Sequence, residues 1–226
     1  MTMSETSGIV HTYFQKARRS TYSKGEVILD AEQRSDVYYI ESGFVKVYAI
    51  NSQGELYTHI IYKSGELFPV MWTFNDSIQN VFYEAVTPTV VRHTSKEKFL
   101  AFAKGSVEAA YALVVQVSQQ FFVYTSRVDN LEYRSARERV VYRLLFLGHR
   151  FGIKQADGIY IEVPLTHELL ASTINLVRES VSRELEKLEK KQLISYKNRH
   201  IVIHDVQKLN EELSDPLNLS MWHAKL

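Results

Sequence analysis

The sequence predicts an α+β fold laid out in three successive stretches, and three observations carry that expectation. Between about Tyr22 and Thr94, short runs of branched and aromatic residues alternate with glycine-bearing turns. From about Val107 to Tyr133, apolar residues recur in alternating steps of four and three. From Leu165 to Ile203 come a short helix, a tight turn, a longer helix and a β run. The chain of 226 residues is 45% hydrophobic and 23% charged with a formal net charge of +1, enough for two small globular domains. The chain has no Cys, which excludes disulfides and cysteine-held iron–sulfur clusters and fits a cytoplasmic protein. No apolar run is long enough to span a bilayer and the N-terminus has no signal-peptide core, so no membrane partner is expected.

Residues 1–20 read as a polar arm, partly helical. The strands that follow are Val27-Ile28-Leu29, Val37-Tyr38-Tyr39-Ile40, Phe44-Val45-Lys46-Val47-Tyr48, Tyr57-Thr58-His59-Ile60-Ile61 and Val90-Val91. Their β-branched and aromatic side chains suit a pleated, half-buried surface. Turns at Lys24-Gly25, Ser42-Gly43, Ser52-Gln53-Gly54 and Ser64-Gly65 separate them, the pattern of a small antiparallel barrel or roll.

The next stretch reads as one long helix. Ala110, Val114, Val117, Phe121, Tyr124, Val128 and Leu131 form a heptad seam. Such a stripe either lies on the molecule's own roll or meets its equivalent in a second copy. Its length and regular 4-3 spacing favour a parallel dimer, with Val114, Val117, Phe121, Tyr124, Val128 and Leu131 as the interface. A hinge then leads into a helix over 135–150.

Thr166 is a suitable N-cap for the first short helix, and Leu169, Leu170 and Ile174 supply its inward stripe. Asn175 occupies the sharp reversal, where a left-handed backbone is tolerated. In the second helix Val181, Leu185 and Leu188 face inward at i, i+4, i+7, which leaves Arg178, Glu179, Ser182 and Arg183 on its exposed N-terminal turns. An Arg can donate two bonds to guanine, and a Glu can accept one from cytosine. The competing reading is a Glu179–Arg183 surface ion pair at i,i+4. Tyr196–His200 follows as a polar turn and Ile201-Val202-Ile203 as a β run, so helix, turn, helix and hairpin make a winged helix with Lys197 and Arg199 near the wing tip. Over 178–199 there are seven Lys/Arg against four Asp/Glu. Residues 130–226 hold 15 Lys/Arg and 13 Asp/Glu, against 12 and 13 in 1–129, a mild basic bias on this half. Val206, Leu209 and Leu213 indicate a short C-terminal helix ending at Asp215-Pro216, with Trp222 as an anchor for the tail.

The segment Arg178-Glu179-Ser180-Val181-Ser182-Arg183 resembles the recognition helix of the Crp–Fnr superfamily of bacterial transcription regulators, and Glu179, Ser182 and Arg183 match its Glu-x-x-Ser-Arg signature. Ile40-Glu41-Ser42-Gly43-Phe44-Val45-Lys46-Val47 and Lys63-Ser64-Gly65-Glu66-Leu67-Phe68 resemble phrases of that family's cyclic-nucleotide-binding roll. The resemblance implies a double-stranded jelly roll with its N-terminal arm over 1–106, a dimerisation helix and hinge over 107–133, and a winged-helix DNA-binding domain over 134–226. It implies double-stranded DNA and a second copy of the chain as partners, and RNA polymerase if the protein activates. Contact with DNA falls to Arg178, Glu179, Ser182, Arg183, Thr166, Lys197 and Arg199, with base reading at Arg178, Glu179 and Arg183. Two departures stand out: the turn Gly is Asn175 here, and the Ser or Thr that usually starts the recognition helix is Val177.

The family's phosphate-binding cassette has a ribose-binding Glu and a phosphate-binding Arg. The matching stretch here, Phe68-Pro69-Val70-Met71-Trp72 followed by Ile78-Gln79-Asn80-Val81-Phe82, has neither. Burying an anion without a cationic partner is costly, so cyclic AMP is not expected to bind in the usual way. Phe68, Trp72, Phe82, Tyr124 and Thr125 are candidates to line a pocket for another, unidentified small-molecule effector; the alternative is that the aromatic residues fill the core. No catalytic residue, metal site or cofactor is expected. His59 and His93 stand alone, His200 and His204 are too far apart along a strand to share an ion, and no phosphate loop or Ser–His–Asp ordering is evident.

Overall fold

The computed structural model describes residues 3–30, 35–75, 80–133 and 135–219. The expectations for Ile78, Gln79 and Trp222 fall outside those residues. The chain divides into two compact units, Met1–Tyr124 and Thr125–Leu226. In chain order the first contains α1 (Met3–Phe14), β1 (Arg18–Tyr22), β2 (Val27–Leu29), β3 (Asp36–Ser42), β4 (Val45–Ile50), β5 (Leu56–Tyr62), β6 (Leu67–Phe68), α2 (Val70–Asn75), β7 (Phe82–Ala85), β8 (Thr89–Ser95) and α3 (Lys96–Gly105). The long helix α4 (Val107–Glu132) belongs partly to each unit.

The roll consists of two four-stranded antiparallel sheets, ordered β1-β8-β3-β6 and β2-β7-β4-β5. Gly43 shows why glycine stands at a corner. Its φ is +91°, and a Cβ there would lie 2.6 Å from the carbonyl oxygen of Pro88. Between the sheets an aromatic stack fills the core: Phe68 lies 5.2 Å from Tyr38, 4.9 Å from Tyr83 and 5.8 Å from Tyr62, centroid to centroid. A second cluster gathers Val10 and Phe14 of α1, Val37 and Tyr39 of β3, Phe99 and Ala103 of α3, and Ala112 and Leu113 of α4.

The second unit continues with α5 (Ala136–Phe151), β9 (Gly152–Gln155), β10 (Gly158–Ile161), α6 (His167–Ile174), α7 (Arg178–Lys190), β11 (Ile194–Lys197), β12 (His200–Ile203) and α8 (Val206–Asn210). Its antiparallel sheet runs β11-β12-β10-β9. At the start of α5 a capping box operates: the Ser135 hydroxyl accepts from the Glu138 N–H at 3.1 Å. Behind that cap Val140, Val141, Leu144, Leu145 and Leu147 are fully buried, and α5 packs against α6, α7, α8 and β10.

Several elements differ from the expectations. The polar arm is a helix followed by a strand: α1 ends at Phe14 and β1 pairs with β8 from Arg18 to Tyr22. Its residues Arg-Arg-Ser-Thr-Tyr are those of a solvated edge strand, and they carry no alternating apolar signal. The hairpin β9–β10 and the strands β6 and β7 were not foreseen. Leu169 is half-buried, while Ala171 and Thr173 are buried instead.

On α4 the two faces separate cleanly within the first unit. Ala112 and Leu113 are buried, and Gln116 and Gln120 donate to the carbonyl oxygens of Gly65 and Leu67, both at 2.9 Å. That face holds the roll. The heptad residues lie elsewhere: Val114 is 60% exposed, Val117 43%, Phe121 68% and Val128 58%. Tyr124 and Leu131 are half-buried.

Candidate nucleic-acid interface

The interface is assembled from α6, α7 and the hairpin β11–β12. At the start of α6, the Thr166 hydroxyl accepts from the Leu169 N–H at 3.0 Å. At its end Asn175 adopts φ 53°, ψ 49°, and its N–H donates to Ala171. The Asn175 side-chain oxygen accepts from Arg127 at 3.0 Å, so the residue that permits the reversal is also held in place. Arg143 of α5 reinforces the pair of helices from below, donating to the Thr173 hydroxyl at 3.1 Å. Burial first, and then Arg127 and Arg150, bring its guanidinium down to about 9.

α7 is amphipathic in the manner expected: Val181, Leu185 and Leu188 are buried, while Arg178, Glu179 and Arg183 are exposed. Arg183 turns to the Glu179 carbonyl at 3.4 Å and the Ser180 hydroxyl at 3.3 Å rather than to the Glu179 carboxylate. The carboxylate and guanidinium therefore both face outward from the first turns. Val177 sits at the N-cap with no side-chain hydrogen bond, which leaves that helix end uncapped. Ser182 is half-buried; it donates to the Arg178 carbonyl at 3.0 Å and lies 2.7 Å from His167 Nδ1.

The hairpin closes through a two-residue turn in which Asn198 and Arg199 both have positive φ, 54° and 67°. Tyr196 and His200 lie in the strands rather than in the turn. Lys197 and Arg199 are exposed at the tip. The hairpin is tied to the segment before α6: the Tyr196 hydroxyl donates to the Leu165 carbonyl at 2.9 Å, and the Leu165 N–H donates to the Arg199 carbonyl at 2.6 Å. The Tyr196 phenol is pushed up by burial, an effect opposed by Arg199 and assisted by Glu189.

Thr166, His167, Glu168, Arg178, Tyr196 and Arg199 line a shallow depression of about 390 Å³. The fold thus brings together Thr166, Arg178 and Arg199 of the expected contacts, joins Ser182 to them through His167, and places Glu179 and Arg183 on the open face of α7 and Lys197 at the tip. His167 and Tyr196 were not anticipated, because a His or Tyr beside a helix cap has no distinguishing spacing.

The residues considered for an effector pocket lie on β6, α2, β7 and α4. Phe68 is fully buried in its aromatic stack. Trp72 lies on α2 with Lys96 Nζ 4.6 Å over its ring, and Phe82 stacks on Tyr48 at 5.4 Å. Tyr124 sits 6.4 Å from His59, and Thr125 is half-buried on α4. Nor is His93 alone. Its Nδ1 lies 2.6 Å from Asp36 and its Nε2 3.1 Å from the Ser20 hydroxyl, a Ser–His–Asp set that sequence order does not reveal. The three come from β1, β8 and β3, and the imidazole, 11% exposed, is covered by Tyr38 at 5.2 Å. So enclosed, the set braces three strands. Among the described residues no three His, Cys, Asp or Glu side chains converge as a metal site requires.

Comparison with known proteins bears on both units. A Crp-like helix-turn-helix domain matches residues 138–212, and a cyclic nucleotide-binding domain matches residues 19–106. The global nitrogen regulator of Nostoc sp. is 27% identical over 180 residues, covering 79% of this chain and 81% of that protein. The cAMP-activated global transcriptional regulator CRP of Escherichia coli O6:H1 is 24% identical over 184 residues, covering 80% and 87%. Among solved structures, a mutant CooA from Carboxydothermus hydrogenoformans superposes with a TM-score of 0.74 at 22% identity, covering 88% of this chain and 89% of that one.

Proposed function

The chain belongs to the Crp–Fnr superfamily of transcription regulators, and from that premise we propose that it is a cytoplasmic homodimer that reads a two-fold symmetric operator in duplex DNA. One observation carries the reading: Arg178, Glu179 and Arg183 stand exposed on the first turns of α7 while its apolar side is fully seated. Arg183 bids for a guanine, Glu179 for a cytosine edge, and Arg178 for a base or the adjacent phosphate. Lys197 and Arg199 on the wing, with Thr166 at the α6 cap, hold the DNA backbone. The exposed apolar residues of α4 support pairing of two chains along Val114, Val117, Phe121, Tyr124, Val128 and Leu131.

Cyclic AMP is not the gate in this reading. The stretch from Phe68 to Trp72 offers neither the ribose-binding carboxylate nor the phosphate-binding guanidinium, and the burial of Phe68 supports a filled core. RNA polymerase is a further partner if the protein activates. Selection from random duplex DNA with purified, ligand-free protein tests the proposal. An enriched inverted repeat is the expected result; no enrichment by a folded dimer, with or without cell extract, overturns it.

A further inference from the structure

The direction in which α7 presents its exposed residues depends on the turn that precedes it. That turn runs from Asn175 to Val177, and Arg178 follows it directly. The N–H groups of Asn175 and Leu176 both donate back to the Ala171 carbonyl, so the backbone ties the turn to α6. Toward α7, the N-cap residue Val177 makes no side-chain bond. Burial of Val181, Leu185 and Leu188 decides which side of α7 faces out. Apolar packing is non-directional, however, and does not fix how the N-terminal end is aimed.

A side-chain bond supplies that restraint. Arg127 of α4 donates from Nη2 to the Asn175 side-chain oxygen at 3.0 Å, and both residues belong to the second unit. A φ of 53° would suit Gly at no steric cost; Asn tolerates it and adds the oxygen that Gly lacks. The guanidinium reaches the C-terminal end of α6, where free carbonyls gather partial negative charge. A second cation serves the same end, since Arg143 donates to the Thr173 hydroxyl. Arg127 is itself a firm support. The last turns of α4 are fastened to α5 and its approach by Asn130, which donates to the Arg139 carbonyl at 2.9 Å, and by Arg139, which donates to the Tyr133 carbonyl at 2.8 Å. Arg127 also stands beside Val128 and one turn before Leu131, residues of the exposed stripe of α4.

We propose that Arg127 and Asn175 are a positioning pair: they lock the recognition helix to the dimer helix, so that pairing of two copies along Val128 and Leu131 fixes how each α7 presents Arg178, Glu179 and Arg183. The proposal rests on the DNA-binding reading above, and neither residue has to touch DNA. Without the pair each winged helix still recognises its half-site, but the two are no longer held in register. The loss therefore falls chiefly on simultaneous engagement of both half-sites, where effective concentration depends on geometry.

The test uses full-length protein and three duplexes of equal length at one salt concentration: the selected two-fold operator, the same duplex with one half-site scrambled, and a random sequence. Fluorescence anisotropy reads the affinities. Asn175→Gly keeps the left-handed turn and removes the acceptor, while Arg127→Ala removes the donor. Each should lower operator affinity roughly tenfold and half-site affinity about twofold, with random-sequence affinity nearly unchanged. The double variant should lose no more than the worse single one, as two residues acting through one bond require. Asn175→Asp keeps both the turn and an acceptor; its added charge weakens all three duplexes alike, and the operator-to-half-site ratio should return to the wild-type value. A wild-type ratio in folded Asn175→Gly and Arg127→Ala overturns the proposal, as do additive losses in the double variant. Equal losses on all three duplexes also overturn it, because a merely weakened fold has that effect. If wild type prefers the operator neither to its half-site nor to random DNA, the reading as a DNA-binding dimer fails instead, and the two failures are therefore distinct.

Discussion

Replacing Arg183 by Ala should remove roughly 1–3 kcal/mol of discrimination at a single base pair, leaving affinity for unrelated sequences nearly unchanged. Binding-site selection on the variant reads that directly, and a uniform loss over all sequences would mark Arg183 as a phosphate contact. Lys197→Ala on the wing should behave in the opposite way, reducing the salt dependence of affinity without relaxing the preferred sequence. Both expectations start from residues legible in the sequence, since Arg178, Glu179 and Arg183 are exposed because Val181, Leu185 and Leu188 claim the other side of α7. Asn175 was legible for a similar reason: a reversal between two apolar stripes requires a residue that tolerates positive φ, here 53°. His167 and Ser20 were not. Their roles depend on partners 15 and 73 positions away, Ser182 and His93, and no local spacing encodes such a pairing.

At the scale of single elements, α7 begins without a cap and α5 begins with a strong one. Val177 is 61% exposed at the N-cap and makes no side-chain bond, so Val177→Ser should stabilise the second unit by about 1 kcal/mol, read as a higher thermal midpoint. No gain would mean that the backbone at Val177 keeps a serine hydroxyl from reaching the first turn. At α5, the Glu138 carboxylate receives the Ser135 hydroxyl at 2.6 Å and the Ser214 N–H at 3.2 Å, and these bonds bring it down to about 2. The folded value lies below the unfolded one. The bond network therefore contributes its full stability above about pH 4.5 and loses it progressively as pH falls toward 2. Glu138→Gln should flatten that acid limb of the stability profile; an unchanged limb would show that other carboxylates set it. The elements that the sequence concealed are β1, β6, β7 and the hairpin β9–β10. Each is short, and β1 is a solvated edge whose Arg-Arg-Ser-Thr-Tyr carries little apolar alternation to read.

For the whole molecule, the decisive question is what covers α4. The helix has two apolar claims on it: Ala112 and Leu113 meet the core of the roll, while Val114, Val117, Phe121 and Val128 remain in solvent within one chain. The heptad spacing was visible in sequence, but which of the two stripes the roll would take was not, because the roll-facing side mixes Ala109, Ala112 and Leu113 with two glutamines. If two copies pair along the exposed stripe, Phe121→Glu should yield a folded monomer by sedimentation, since two carboxylates would meet at the seam without partners. The same variant should lose operator affinity far more than affinity for a half-site, because a dimer gains its second contact at high effective concentration. Geometry supplies an independent check. Two recognition helices joined by a fixed dimer read half-sites about one helical turn of DNA apart, so inserting about five base pairs between them turns one half-site to the opposite face of the duplex. Affinity should then fall to the half-site level, and inserting about ten should restore part of it. If affinity is indifferent to the spacing, the two winged helices bind independently, and the exposed face of α4 has an occupant other than a second copy of this chain.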